Sequence, residues 1–159
     1  MQYYLGLKEV DLMDQVDHKI LLCLQNQARI SMTELGKEVG LSQPAVTERV
    51  RRMEDKGIIT GYRATVSHEK VGKPIMAHVL VHTNQCNSFV EFCQSAPEVI
   101  ECHRISGEQN YLLKVMVESM LKLEQFGDEC GKHGHSTTLI VLSSPVDHKH
   151  VTPTLLDPI

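Results

Sequence analysis

Residues 31–61 read SMTELGKEVGLSQPAVTERVRRMEDKGIITG, and this stretch decides the fold. Met32, Leu35 and Val39 recur at spacings of three and four, which places them on one face of a helix. Gly40 supplies a helix stop; Ser42 stands as the N-cap of the next helix, with Pro44 in its first turn. In that second helix Val46, Val50 and Met53 form an apolar stripe. At about 100° per residue the opposite face carries Pro44, Thr47, Glu48, Arg51 and Asp55, with Arg52 at its edge. A helix, a glycine turn and a helix with a polar, cationic outer face form the helix-turn-helix pattern of DNA readers. The pattern by itself suits an ordinary helical hairpin equally well. The continuation Gly57-Ile58-Ile59-Thr60-Gly61-Tyr62-Arg63 favours the reader, because it ends the helix and opens a β-branched segment, as a wing would.

Upstream, Asp14 is read as an N-cap with Asp17 in the first turn, where the helix dipole favours an acid. Val16, Ile20, Leu21, Leu24 and Ala28 form the buried stripe of this first helix, and Ser31 or Thr33 caps the next. Residues 1–13 are a mixed segment, either an arm packing on a partner or a frayed terminus. Residues 1–63 are thus expected to form a winged helix-turn-helix domain.

Downstream, residues 64–74 are polar and read as an extended linker strand. Residues 75–82 (IMAHVLVH) alternate, with Ile75, Ala77, Val79 and Val81 on one face and Met76, His78, Leu80 and His82 on the other. Phe89, Phe92, Cys93 and Ala96 recur at helical spacing before Pro97. Residues 98–106 and 111–117 read as strands around a turn at 107–110, which makes a hairpin. Ser119 caps a helix in which Met120, Leu123, Phe126 and Cys130 recur, closed by Gly131 and Gly134; residues 137–142 are the last strand. The order β-α-β-β-α-β is the split βαβ, ferredoxin-like arrangement, so residues 75–143 are a second domain and the fold class is α+β. Residues 144–159, proline-containing and aperiodic, are read as a tail. Two helices cover one sheet face, and a partner subunit is the simplest cover for the other.

A net charge of −4 excludes indiscriminate nucleic-acid coating while leaving room for a local basic patch. The chain has no apolar run long enough to span a membrane and no charged-then-apolar leader, so no membrane partner is expected. Five cysteines, an odd number with no CxxC pair, suit reduced thiols in a cytoplasm. His133-x-His135, His148-x-His150 and Cys102-His103 lack zinc-site spacing, so neither a metal nor a cofactor is expected. On a groove-docked helix the N-terminal side chains approach base edges, which nominates Gln43, Pro44, Thr47, Glu48 and Arg51 for readout. Ser42, Arg51 and Arg52 suit phosphates, Arg63 in the wing reaches the backbone, and Arg49, nearer the apolar stripe, suits a structural ion pair.

The segments DHKILLCLQNQARIS, ELGKEVGLS, AVTERVRRMEDKGIITGY and ISGEQNYLLKV, ordered and correctly spaced, resemble the Lrp/AsnC (leucine-responsive, feast/famine) family of prokaryotic transcription regulators. The resemblance spans residues 12–143. It implies that the second half is the RAM domain, which dimerises through its sheet, with dimers assembling to tetramers or octamers on pseudo-palindromic double-stranded DNA. It implies a small effector, an amino acid, bound near Gly107, Glu108, Gln109, Asn110 and Tyr111 and near Gly134, His135, Ser136, Thr137 and Thr138. Family members frequently carry Asp where this chain has Asn110, which removes a charge that could pair with an α-ammonium. The implied role is cytoplasmic, nucleoid-associated regulation without catalysis. Two alternatives share the layout: a decarboxylase-like enzyme, and a ligand-binding protein with a vestigial helix-turn-helix.

Overall fold

The computed structural model describes residues 13–153, so the N-terminal segment read as an arm or a frayed terminus lies, but for Met13, outside the described residues. Within them the chain divides into two compact units, residues 13–64 with 146–153, and residues 65–145.

The first unit holds α1 (Gln15–Asn26), α2 (Met32–Val39) and α3 (Gln43–Asp55). Asp14 opens α1 through a capping box: its Oδ1 accepts from the Val16 and Asp17 amides at 2.9 and 2.8 Å, and Asp17 reaches back to the Asp14 amide. Ser31, rather than Thr33, caps α2, with Glu34 as the reciprocal partner. Gly40 ends α2 at φ +73°, a left-handed conformation suited to glycine. The Leu41 amide then bonds back to the Gly36 carbonyl at 2.8 Å. A Cβ on Gly36 would lie 2.7 Å from the Leu41 carbonyl oxygen, so the tight turn requires glycine within α2 as well as after it. Ile20, Leu24, Leu35, Val46, Val50 and Met53 form the buried core. Ala28 is not in it: α1 stops at Asn26, and Ala28 is exposed in the turn that follows.

The expected wing is absent among the described residues, because residues 57–64 form no strand. Gly57, at φ +69°, reverses the chain, and the Ile58 and Ile59 amides both return to the Met53 carbonyl at 2.9 and 3.1 Å. This turn folds the two β-branched side chains inward against the core, where they are consumed by packing instead of by a β-ladder. The tail contributes to this unit too. Gln25 Nε2 donates to the Val151 carbonyl at 3.0 Å, and the Val151 amide donates to Gln25 Oε1 at 2.9 Å.

In the second unit, residues 68–72 form a hydrogen-bonded turn where a linker strand was expected: the Val71 and Lys73 amides bond to the Ser67 and His68 carbonyls. There follow β1 (Ile75–His82), α4 (Cys86–Ser95), β2 (Val99–Arg104), β3 (Tyr111–Val117), α5 (Met120–Gly131) and β4 (His135–Ile140). The sheet has the order β2-β3-β1-β4, every pair antiparallel. Ala77, Val79 and Val81 of β1 and Leu113, Val115 and Val117 of β3 are buried under Phe89 and Cys93 of α4 and Leu123, Phe126 and Cys130 of α5. Phe89 meets Tyr111 edge-on at 5.0 Å, and Phe92 stacks on Phe126 at 5.8 Å. Met120, expected in the α5 stripe, is exposed at the helix start. β4 begins two residues before its expected start because Gly134 presses against the His82 carbonyl, closer than a Cβ could, which lets His135 pair with His82. Met76, His78, Leu80, Leu112 and Met116 line the face without helices and are only half-buried.

Candidate nucleic-acid interface and effector loop

The apolar stripe Val46, Val50 and Met53 is buried, and this turns the rest of α3 outward. Ser42, Gln43, Pro44, Thr47, Glu48, Arg51 and Arg52 are all exposed. Ser42 occupies the N-cap position but its hydroxyl makes no capping bond. The Thr47 hydroxyl donates to the Gln43 carbonyl at 2.7 Å and keeps its lone pairs for a donor. Arg51 approaches Asp55 at only 3.9 Å, both side chains 72% exposed, a pairing worth little in water.

Arg49 and Arg52 are differently employed. Asp17 is 2% exposed and receives both guanidiniums: Arg49 Nη1 at 2.8 Å on Oδ1 and Arg52 Nη2 at 2.9 Å on Oδ2. Arg49 also reaches Asp14 at 2.6 Å. The Asp17 backbone N–H and the Arg49 guanidinium hold the Asp14 carboxyl below its usual value, and the Arg49 pKa is raised in return. The ion pair expected for Arg49 is therefore present, whereas Arg52, nominated for phosphate, is tied at its tip to a buried carboxylate. Arg63 is exposed but stands on no wing. Beside it the Tyr62 hydroxyl donates to Glu54 Oε1 at 2.9 Å and pins this segment to α3. Burial, then the Glu54 carboxylate, pushes the Tyr62 phenol up to about 12.

At one end of the second unit's sheet, the two segments nominated for an effector meet around Thr83. Gly107, at φ +121°, turns the β2–β3 hairpin, which the Ile105 amide closes on the Asn110 carbonyl. Asn110 Oδ1 accepts from the Thr83 amide at 3.0 Å, and its Nδ2 donates to the Thr83 carbonyl at 2.7 Å. The Thr83 hydroxyl donates to the His133 carbonyl at 2.6 Å and accepts from the Gln85 amide at 3.0 Å. His82 Nδ1 donates to the Glu108 carbonyl at 2.5 Å. In the place of Asn110 an ionised Asp could accept from the Thr83 amide but could not donate to its carbonyl.

Gly107, Glu108, Gln109 and Asn110 thus gather with Gly134, His135 and Ser136, the last two paired with His82 and Val81. Tyr111 does not join them, because its ring is buried in the core against Phe89. Thr137 and Thr138 lie farther along, opposite Leu80 and Val79. Gln109 Oε1 and His133 Nδ1 are buried without a hydrogen-bond partner. No group of three or more His, Cys, Asp and Glu among the described residues could hold a metal, and none of the described helices is long and apolar enough to cross a membrane. The Asp17 clamp, the Gly36 contact and the Asn110–Thr83 lock escaped sequence reasoning. Only the first left a signal, an acid in a first turn facing two arginines three residues apart.

Residues 13–54 match the AsnC-type helix-turn-helix domain, and residues 75–151 match the Lrp/AsnC ligand binding domain. The chain belongs to the Lrp/AsnC family of transcription regulators. Among its Lrp/AsnC relatives, the HTH-type transcriptional regulator YezC of Bacillus subtilis (strain 168) is 48% identical over 136 residues, 86% of this chain and 98% of that one. The structure of Bacillus subtilis LrpC superposes with a TM-score of 0.81 at 34% identity, over 86% of this chain and 99% of that one. The Neisseria meningitidis transcriptional regulator NMB0573, solved as an L-Met complex, superposes with a TM-score of 0.81 at 29% identity, over 89% and 96%. The Lrp/AsnC chain described here is thus a transcriptional regulator with a helix-turn-helix and a ligand-binding domain.

Proposed function

We propose that this regulator reads double-stranded DNA through the outer face of α3 and responds to an amino acid held at the Thr83 end of the second unit. The observation that carries the first part is the shared exposure of Gln43, Thr47, Glu48 and Arg51 on one face of α3. With residues 1–63 as the reader, Gln43, Pro44, Thr47, Glu48 and Arg51 face base edges. Ser42, Arg51, Arg63 and, more weakly, Arg52 face phosphates. Residues 75–143 carry the effector site. Gly107–Asn110 and Gly134–Ser136 form its walls; Gln109 Oε1, a buried acceptor without a donor, suits an ammonium group. A relative solved with L-Met supports that ligand class.

The half-buried sheet face carrying Met76, Leu80, Leu112 and Met116 would be covered by a second copy. The resulting dimer, assembling further to a tetramer or octamer, would set two α3 helices on pseudo-palindromic half-sites. Effector binding acts only as far as it favours one assembly over another. The role is binding, without catalysis, in the cytoplasm and at the nucleoid. The test is a gel-shift on the chain's own promoter region with and without each amino acid. Specific retardation that one amino acid alters, and that salt weakens steeply, is the expected result. Binding of equal strength to unrelated duplexes would overturn the reading.

A further inference from the structure

On the second unit, α4 packs over the edge strand β2 and leaves a groove of about 820 Å³ between them. Three of the chain's five cysteines, Cys86, Cys93 and Cys102, line it. Cys102 pairs in register with the buried Leu113, so its side chain points to the helix-covered face, beneath α4. Cys93, from α4, lines the same groove as Cys102, the two thiols near enough to interact, and Cys86 lines it as well, at the start of α4. Cys102 is exposed and Cys93 is buried. An accessible thiol beside a shielded one, on two elements already in contact, is the arrangement of an attacking and a resolving cysteine.

We propose that Cys93 and Cys102 are a redox modification site, converted by hydroperoxides to a reversible disulfide that ties α4 to β2. The Cys102 thiolate attacks one oxygen of hydrogen peroxide; an S–O bond forms, the O–O bond breaks, and water leaves after proton transfer. The Cys93 sulfur then attacks the sulfenic sulfur; the S–S bond forms, the S–O bond breaks, and the departing hydroxide takes the Cys93 proton as a second water. Two thiols lose two electrons and two protons, and one peroxide becomes two waters. The order follows from the surroundings: burial, then the adjacent Cys102, pushes the Cys93 thiol up to about 12, so it is not the group that meets peroxide first. Cys130, fully buried on the inner face of α5 and likewise pushed up to about 12, is shielded from peroxide.

The test treats the full chain with hydrogen peroxide and counts thiols after denaturation. The count should fall from five to three and return to five with dithiothreitol. Digestion with a glutamyl endopeptidase cuts at Glu98 and Glu101, between the two cysteines, and should yield their two peptides joined only under non-reducing conditions. Cys102→Ser should leave Cys93 a thiol at the same dose. Cys93→Ser should let Cys102 advance to the sulfinic acid, and Cys130→Ser should leave the link intact. A link from Cys93 to Cys86 or Cys130, a link between two chains, or over-oxidation of Cys102 in the unmutated protein while Cys93 stays reduced would each overturn the assignment. Because Cys102 is exposed, its serine variant keeps the test decisive if Cys93→Ser does not fold.

Discussion

Asp17, near the start of α1, holds Arg49 of α3 at 2.8 Å although the two lie 32 positions apart in sequence. Asp17 is 2% exposed, so its carboxylate is stabilised by this guanidinium and that of Arg52 rather than by water. Asp17→Ala leaves two cations facing a buried gap and should cost about 3 kcal/mol of stability. Urea unfolding followed by circular dichroism measures it, and an unchanged midpoint would contradict the clamp.

Arg51→Ala removes a side chain with no buried partner, so the fold should be untouched while specific DNA affinity falls by about 1–3 kcal/mol. Fluorescence anisotropy across a salt series should show the shallower slope of a lost phosphate contact if Arg51 meets the backbone, and relaxed sequence preference if it meets a base. Arg52→Ala should lower thermal stability as well as affinity, because it removes one of the two cations that hold the buried Asp17 carboxylate. Equal melting temperatures for the two variants would erase that distinction.

The Asp14 carboxyl also reports on pH. The Asp17 backbone N–H, then Arg49, holds it below its ordinary value of 3.8. A carboxyl depressed in the folded state adds stability above its unfolded value and loses it as pH falls through the folded one. The stability gap between the native chain and Asp14→Asn should therefore be present at neutral pH and close in acid below about 3.8. A gap that widened on acidification would show that the carboxylate is not the stabilised form.

Periodicity made most of this architecture legible. The stripes Val46–Val50–Met53 and Ala77–Val79–Val81 are buried as their spacing requires, and Ser31, Gly40 and Ser119 punctuate helices as their chemistry predicts. Apolar spacing could not say where Ile58 and Ile59 would go, since β-branched residues suit a wing and a core equally. The Met53 carbonyl decided it by accepting both amides. The candidate site was legible as two segments but not as a constellation. Thr83, its hub, sits between a strand and a helix and has no periodicity to announce it.

Asn110→Asp tests that hub. It exchanges the Nδ2 donor on the Thr83 carbonyl for a second acceptor, which should cost about 1–3 kcal/mol. The loss should appear as faster hydrogen exchange at Thr83 and Gln85, with protection in α1–α3 unchanged. Uniform exchange rates across native and variant would show that the lock contributes nothing.

Gly36→Ala would bring a methyl to 2.7 Å from the Leu41 carbonyl, a backbone atom that cannot swing aside. A cost of about 1–3 kcal/mol is expected, confined to the first unit. Thermal unfolding read at residues 13–64 by NMR checks this; cross-peaks of residues 65–145 should not shift. Gly127→Ala, where nothing lies within 4 Å, is the control.

The two-way bond between Gln25 and Val151 has a practical side. Residues 146–153 belong with α1–α3 although the whole second unit is threaded between them in sequence. A truncation after Ala64 would therefore strip the reader of a strap it normally wears, and any fragment meant to stand for the intact reader should be made with the distal segment rejoined by a spacer.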